Sequence, residues 1–496
     1  MARPRVPRVR GTTVALAGFA LLRGLLYALI VPPWQAPDEP QHLQHALLML
    51  ESPGQITREE AYGSQDLIEG VHRSLVTQQF WFFRAHDIPP SEPQYVAAFS
   101  HPPLYYVLAA LVIAPLRGAD LCVQLYAVRI LSVFLTTVAV LVTLCIGRRI
   151  FPDKPEVTYA ATAVALLLPM HTFVGASVNN DVLAELIGSL IVFLSVDLTV
   201  RGPSLRRLLT LALVNALALL TKRTLFFAMV LSIIVCGWVL FRWMRGLDRR
   251  QILSGLLLLL TFFAIAHDTG IGLLRLINGE MQKPFSFHAW MVAREGPYRV
   301  FLPYAVDEQL PPPTLAERAV FWVTRQMDRW TAPVRPGLTV SRRSLSVWDM
   351  VAYLGITFAG FWGNFGWLNV PLSVRWYLLL LLATAASLAG LVRLGVLLAC
   401  GRVRWDRERR KGLAVVVGAA ALCSVQLLGT MIARGQPQQG RYLFPALPAF
   451  AILLVLGWLY VVPSRWRKEV SWLISIGLAL LDTVVLVYTI IPFYYG

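Results

Sequence analysis

Apolar runs of roughly 20 residues, the length an α-helix needs to cross a bilayer, recur from one end of this sequence to the other. They fall near residues 12–32, 124–147, 157–175, 181–200, 207–221, 225–241, 251–272, 372–396, 412–433, 443–461 and 470–492, about eleven crossings. That is too many for a signal peptide or a single anchor. The composition agrees, since 56% of the 496 residues are hydrophobic, only 15% are charged, and the mean hydropathy is +0.60. The expected fold is therefore an all-α integral membrane bundle, a single polytopic domain over 1–496.

Two further apolar stretches, 104–116 after Pro102-Pro103 and 347–367 with its glycines and tryptophans, are short or interrupted and are expected to be interfacial or re-entrant. The distribution of basic residues supports that choice. With Met1 on the cytoplasmic side, segments 1–10, 147–154, 201–207, 242–250, 401–412 and 462–469 all face the cytoplasm, and they carry 4, 3, 3, 4, 6 and 3 basic residues. The short outside turns carry few. A full crossing by 104–116 would move Arg148, Arg149 and Lys154 outside and invert every later loop.

The net charge of +17 would suggest a nucleic-acid partner in a soluble protein. Here basic loops facing anionic lipid headgroups account for it, so membrane lipids are the expected partners and nucleic acid is not. The five cysteines, Cys122, Cys145, Cys236, Cys400 and Cys423, show no CxxC spacing and imply neither a disulfide framework nor a zinc site. No internal repeat is evident, which argues against an inverted-repeat transporter.

Two outside loops, 33–123 and 273–371, are long and rich in Pro, Trp, Tyr and ionisable residues, and long ordered loops tend to be functional. The first opens Pro32-Pro33-Trp34-Gln35-Ala36-Pro37-Asp38-Glu39-Pro40-Gln41-His42-Leu43-Gln44-His45, which sets adjacent carboxylates at the outer end of the first span. Prolines hold the chain extended up to Glu39, and Pro40 suits the first turn of a helix whose N-terminus favours the negative charge. His42 then lies about one turn from Asp38. The bland alternative is an N-cap carboxylate with surface histidines. Charge fixed by prolines at the lip of a membrane bundle favours function instead.

Pro37-Asp38-Glu39-Pro40-Gln41-His42, Ser100-His101-Pro102-Pro103-Leu104-Tyr105-Tyr106, Ser177-Val178-Asn179-Asn180-Asp181, Phe361-Trp362-Gly363-Asn364-Phe365-Gly366-Trp367 and Gln439-Gly440-Arg441-Tyr442-Leu443-Phe444-Pro445 follow one another along the chain. In this order they resemble a large group of bacterial predicted membrane proteins, which looks like a branch of the GT-C superfamily of lipid-dependent glycosyltransferases. The resemblance implies a GT-C-like bundle with interfacial helices in its first external loop and a polyprenyl-phosphate sugar as donor. It implies Asp38 as catalytic base with Glu39 beside it, and Asp181, preceded by Asn180, as a second acidic motif on the same outer face.

Transfer from a lipid-phosphate sugar needs a base for the acceptor hydroxyl and fixed cations for the departing phosphate. Cations stand against the charge trend in the outside turns: Lys222 and Arg223 between spans five and six, and Arg434 and Arg441 between spans nine and ten. Arg441 is the first candidate phosphate ligand and Lys222 the second, with snorkelling to headgroups as the alternative. His42, His101, Tyr105, Gln439, Tyr442, Trp362 and Trp367 are candidate substrate-lining residues, though an aromatic belt explains the tyrosines and tryptophans as well.

No cofactor is implied with certainty. A divalent metal held by Asp38, Glu39, His42, His45 and Asp181 stays open as an alternative. Arg23 and Asp482, inside the first and last spans, suit an ion pair. The expected function is transfer of one sugar, with inversion, to a cell-envelope glycan or lipid acceptor. The expected location is the outer, periplasmic side of a bacterial cytoplasmic (inner) membrane, with the N-terminus cytoplasmic. A transporter or flippase of lipid-linked saccharides, or a glycan polymerase or ligase, are the rival readings.

Overall fold

The computed structural model describes residues 8–51, 101–244, 347–366, 368–434 and 436–495. The order is α1 (Arg8–Ile30), α2 (Glu39–Glu51), α3 (Leu104–Ile113), α4 (Leu121–Ile150), α5 (Pro155–Leu167), α6 (Pro169–Gly175), α7 (Asp181–Arg201), α8 (Leu205–Leu219), α9 (Phe226–Met244), α10 (Val347–Trp362), α11 (Val374–Ala399), α12 (Arg407–Arg434), α13 (Leu447–Val461), α14 (Arg467–Val485) and α15 (Ile491–Tyr495). A 3₁₀ segment, Gly440–Ala446, leads into α13. Two-residue strands Asn364–Phe365 and Val370–Pro371 pair antiparallel after α10, with Asn364 opposite Pro371.

Among the described residues, eight helices are long and apolar enough to cross a membrane, and a bent pair makes a ninth. Nine of the eleven expected crossings are thus found among the described residues. The stretch read as a span over 207–221 is a helix of only 15 residues, Leu205–Leu219, about 22 Å long against a hydrocarbon core of about 30 Å. The span expected over 251–272 lies outside the described residues, as do 52–100 and 273–346 of the two long loops.

The ninth crossing is α5 with α6, bent by 57°. Pro169 has no N–H to give the helix and biases Leu168 toward extended backbone, so the ladder breaks there. A carbonyl left open in hydrocarbon is costly, and Arg23 of α1 answers it by donating from Nη1 to Leu166 O at 2.5 Å. The same guanidinium donates from Nε to Asp482 Oδ2 at 2.7 Å, and Tyr27 donates to Asp482 Oδ1 at 2.6 Å. The two intramembrane charges thus neutralise each other and cap the break.

α4 and α7 run through the middle of the bundle and are buried along most of their length. α1 packs on α4, α5 on α13 and α14, and α12 on α7. α11 and α13 pack closely because Gly390 and Gly457 carry no side chain: a Cβ on Gly390 would collide with the Gly457 carbonyl, and one on Gly457 with Ser387. Exposed leucines and valines such as Leu22, Leu29, Leu382 and Val425 coat the outside, where acyl chains would meet them.

Candidate functional site

The site forms where the loop after α1, the loop between α6 and α7, the turn after α8 and the 3₁₀ segment before α13 meet. Pro32 and Pro33 follow the end of α1, and Trp34 and Asp38 both take left-handed backbone, with φ of 70° and 64°. This is uncommon for residues with a side chain. The double reversal turns the chain into α2, whose first hydrogen bond runs from His42 N to Asp38 O at 3.0 Å.

Glu39 and Asp38, adjacent in sequence, meet opposite fates. Glu39 is fully buried, and its carboxylate takes two hydrogen bonds from Arg129 of α4, Nε to Oε1 at 2.8 Å and Nη2 to Oε2 at 2.7 Å. The backbone N–H groups of Trp34 and Val178 add two more at 3.0 Å each. Arg129 spends its other donors on the carbonyls of Ala28, Val31 and Pro32 at the end of α1, where a cation meets the helix C-terminus favourably. Every oxygen of Glu39 is therefore taken.

Asp38 stays 37% exposed at its side chain and accepts from Arg441 Nη2 at 2.6 Å. Arg441 in turn lies 3.5 Å, through Nε, from Oδ2 of Asp181, so one guanidinium stands between the two acidic motifs. Asp181 opens α7, where the helix N-terminus favours its charge, and its N–H is held by Asn179 Oδ1 at 2.9 Å in an Asx turn. Lys222 donates from Nζ to Asp181 Oδ1 at 2.6 Å and to Asn180 Oδ1 at 2.7 Å. Asn179 Nδ2 reaches the carbonyl of Pro37 at 3.4 Å and joins the two acidic loops directly.

The 3₁₀ segment presents Arg441 because Gly440 lies against α10. A Cβ there would strike Phe361 N and Thr357 O, and Thr357 also donates to Gln438 O at 2.8 Å. The Tyr442 ring has Lys222 Nζ 5.7 Å and the Arg441 guanidinium 5.6 Å from its centre, within cation–π range. Two carboxylates, two buried cations and an aromatic face thus share one cluster.

A family model described as "Predicted membrane protein (DUF2142)" matches residues 21–272, just over half of the chain. The chain belongs to this family. Among solved structures it is similar to ArnT from Cupriavidus metallidurans bound to undecaprenyl phosphate, with 14% identity and a TM-score of 0.46 over 95% of this chain and 64% of that one. It is also similar to the same ArnT in the apo state, with 14% identity and a TM-score of 0.36 over 95% and 78% of the two chains. The DUF2142 chain thus spans somewhat less than two thirds of the length of the first of these. No curated protein matches it.

The remaining expected residues of this DUF2142 protein fall in several places. His42, buried, bonds through Nδ1 to the Tyr106 hydroxyl at 2.8 Å rather than to Asp38, and its ring stacks on His101 at 5.9 Å. Burial, with the charges of His101, Lys222 and Arg441 adding to it against Asp181, holds His42 well below the usual imidazole value. Burial and then Lys222 push His101 down to about 3. Both rings are therefore neutral at neutral pH. Tyr105 is buried with its hydroxyl 3.2 Å from Ser132 Oγ, and burial raises its pKa.

Trp362 is buried and packs edge-on against Phe361 at 5.4 Å, so it fills the core instead of offering a face to a sugar. Gln439 is partly buried, with no hydrogen bond to its Oε1. Arg223 is exposed beside Lys222, and Arg434 ends α12. Trp367 lies outside the described residues.

Asp38, Glu39, His42, His45 and Asp181 do not converge on one point. Glu39 is enclosed by Arg129, His45 stacks on Tyr106 at 3.7 Å, and among the described residues no three His, Cys, Asp or Glu side chains group as metal ligands.

Two structural participants were not singled out from sequence. Arg129 was one, although a lone arginine inside an apolar run is itself a signal of buried pairing. The other is the pair His171 and Glu185, Nε2 to Oε1 at 2.6 Å, which bridges α6 and α7 and closes the hairpin carrying Asn179 to Asp181.

Proposed function

We propose that this chain is a GT-C-type glycosyltransferase. It moves one sugar, with inversion, from a polyprenyl-phosphate donor to a cell-envelope glycan or lipid acceptor on the outer face of a bacterial cytoplasmic membrane. The five ordered motifs support the reading, and the observation that carries it is the sharing of Arg441 between Asp38 and Asp181. A candidate base and a candidate phosphate ligand thus meet in one cluster.

In the reaction Asp38 accepts the proton of the acceptor hydroxyl. That oxygen forms its bond to the anomeric carbon from the face opposite the leaving group, the bond from that carbon to the phosphate oxygen breaks, and its electron pair leaves on the lipid phosphate. Arg441 and Lys222 offset the charge gathering there, and a phosphate leaving group needs no strong general acid. Single displacement inverts the centre.

Within this reading Asp181 orients Lys222 and Arg441, and Glu39 holds the loop in shape without touching substrate. Arg223, beside Lys222, adds positive potential toward the donor. Neutral His42 and His101 line the acceptor side as hydrogen-bonding groups.

The test compares the surface glycans and lipids of cells with and without the gene by mass. Loss of one sugar unit from a defined product, restored by the wild-type chain and not by Asp38→Asn, is the expected result. Accumulation of an intact lipid-linked saccharide on the inner leaflet would replace the transferase with a flippase.

A further inference from the structure

Arg441 is only 2% exposed, yet its donors are unevenly used. Nη2 is bonded to Asp38 and Nε faces Asp181 Oδ2 at 3.5 Å, whereas Nη1 has no hydrogen-bond partner. A buried guanidinium with an open donor is suited to take an anion, because an unmet buried donor costs more than a hydrogen bond normally returns. Lys222 differs: it is already engaged by Asp181 and Asn180.

The two carboxylates around Arg441 are also unequal. Asp181, 3% exposed, has no water to retreat to and is held by Lys222 and the Asx turn. Asp38, 37% exposed and seated on a left-handed residue, can be taken up by solvent if Arg441 lets it go. Losing a partner costs a buried charge several times what it costs a wetted one. An incoming anion will therefore displace Asp38 and leave Asp181 in place.

We infer that the Asp38–Arg441 ion pair is a latch that the donor opens. In the donor-free protein Arg441 occupies the carboxylate that is to act as base. A lipid phosphate, presenting several oxygens to Nη1 and to the Nη2 that Asp38 gives up, takes Arg441 over and releases Asp38 toward the acceptor hydroxyl. The inference rests on the lipid-phosphate reading above and adds an order: phosphate first, proton abstraction second. Without donor, the base is withheld.

The latch has a consequence opposite to that of a simple binding contact. Removing the Asp38 charge frees Arg441 in advance, so it should strengthen phosphate binding. The full chain in phosphatidylcholine nanodiscs, probed by titration with undecaprenyl phosphate, tests this, with neutral undecaprenol as control. Asp38→Asn and Asp38→Gly both accept left-handed backbone, so either keeps the turn if the other does not.

The expected result is binding of undecaprenyl phosphate about tenfold tighter or more by both variants than by wild type, the effect of about 1.4 kcal/mol. Undecaprenol should be unaffected, and Arg441→Gln should weaken the phosphate lipid. Equal or weaker binding by both Asp38 variants, with wild type still binding and Arg441→Gln not, overturns the latch and leaves the donor assignment standing. Failure of wild type to prefer the phosphate lipid over undecaprenol overturns the donor assignment and the latch with it.

Discussion

Arg129 and Glu39, 90 residues apart, form a doubly bonded ion pair that is buried on both sides and ties the end of α1 to the first acidic loop. Removing one member of such a pair leaves an uncompensated charge, which costs about 3–5 kcal/mol. Arg129→Met should therefore lower the thermal midpoint in detergent sharply. Adding Glu39→Gln to it should restore part of the loss, and a double variant no more stable than Arg129→Met would show that the pair is not the source.

The same geometry separates Glu39 from Asp38 by experiment. Asp38→Asn should leave the melting curve near that of wild type while transfer falls by roughly 10²–10⁴, the range for loss of a general base. Glu39→Gln should lose stability and activity together. Turnover by Asp38→Asn at the wild-type rate would remove Asp38 as base.

Gly440→Ala tests how Arg441 is held. The added methyl must push the 3₁₀ segment away from Phe361 N and Thr357 O, a clash with backbone atoms that no side-chain movement relieves. Overpacking of this kind costs about 1–3 kcal/mol. The expected kinetic outcome is a higher KM for the lipid donor with that for the acceptor little changed, read from initial rates at varied donor and acceptor.

Acid should weaken the fold through His42 and His101. Both imidazoles bind a proton less readily in the folded chain than the ordinary value of about 6.5. As pH falls below that value the unfolded chain takes up protons that the folded chain does not, so stability declines until His101 itself titrates near 3. Each ring contributes at most about 1.4 kcal/mol per pH unit. Midpoints measured from pH 7 to 5 should fall for wild type and fall less for His101→Asn.

Much of this arrangement was readable from residue patterns. The long apolar runs mark most of the spans, because hydrophobic length is a local property, and Pro37 to Glu39, Asn180 with Asp181, and Arg441 stood out because charge at a membrane lip is conspicuous. What was hidden depends on contacts distant in sequence. Nothing near Glu39 announces Arg129, so Glu39 stood beside Asp38 as a supporting or alternative carboxylate until it proved enclosed. Trp362 read as interfacial because tryptophan suits an interface, and only packing against Phe361 turns it inward. The break at Leu168 follows from Pro169, but its cap, Arg23, comes from another helix.

The contact between Asn179 and Pro37 bears on how changes in this protein combine. It makes two segments separated by more than a hundred residues behave as one continuous wall, so a lengthened loop on either side shifts the carboxylate carried by the other. Substitutions made in both will depart from the sum of their separate effects, and swapping either segment for that of a relative will succeed only when its counterpart travels with it.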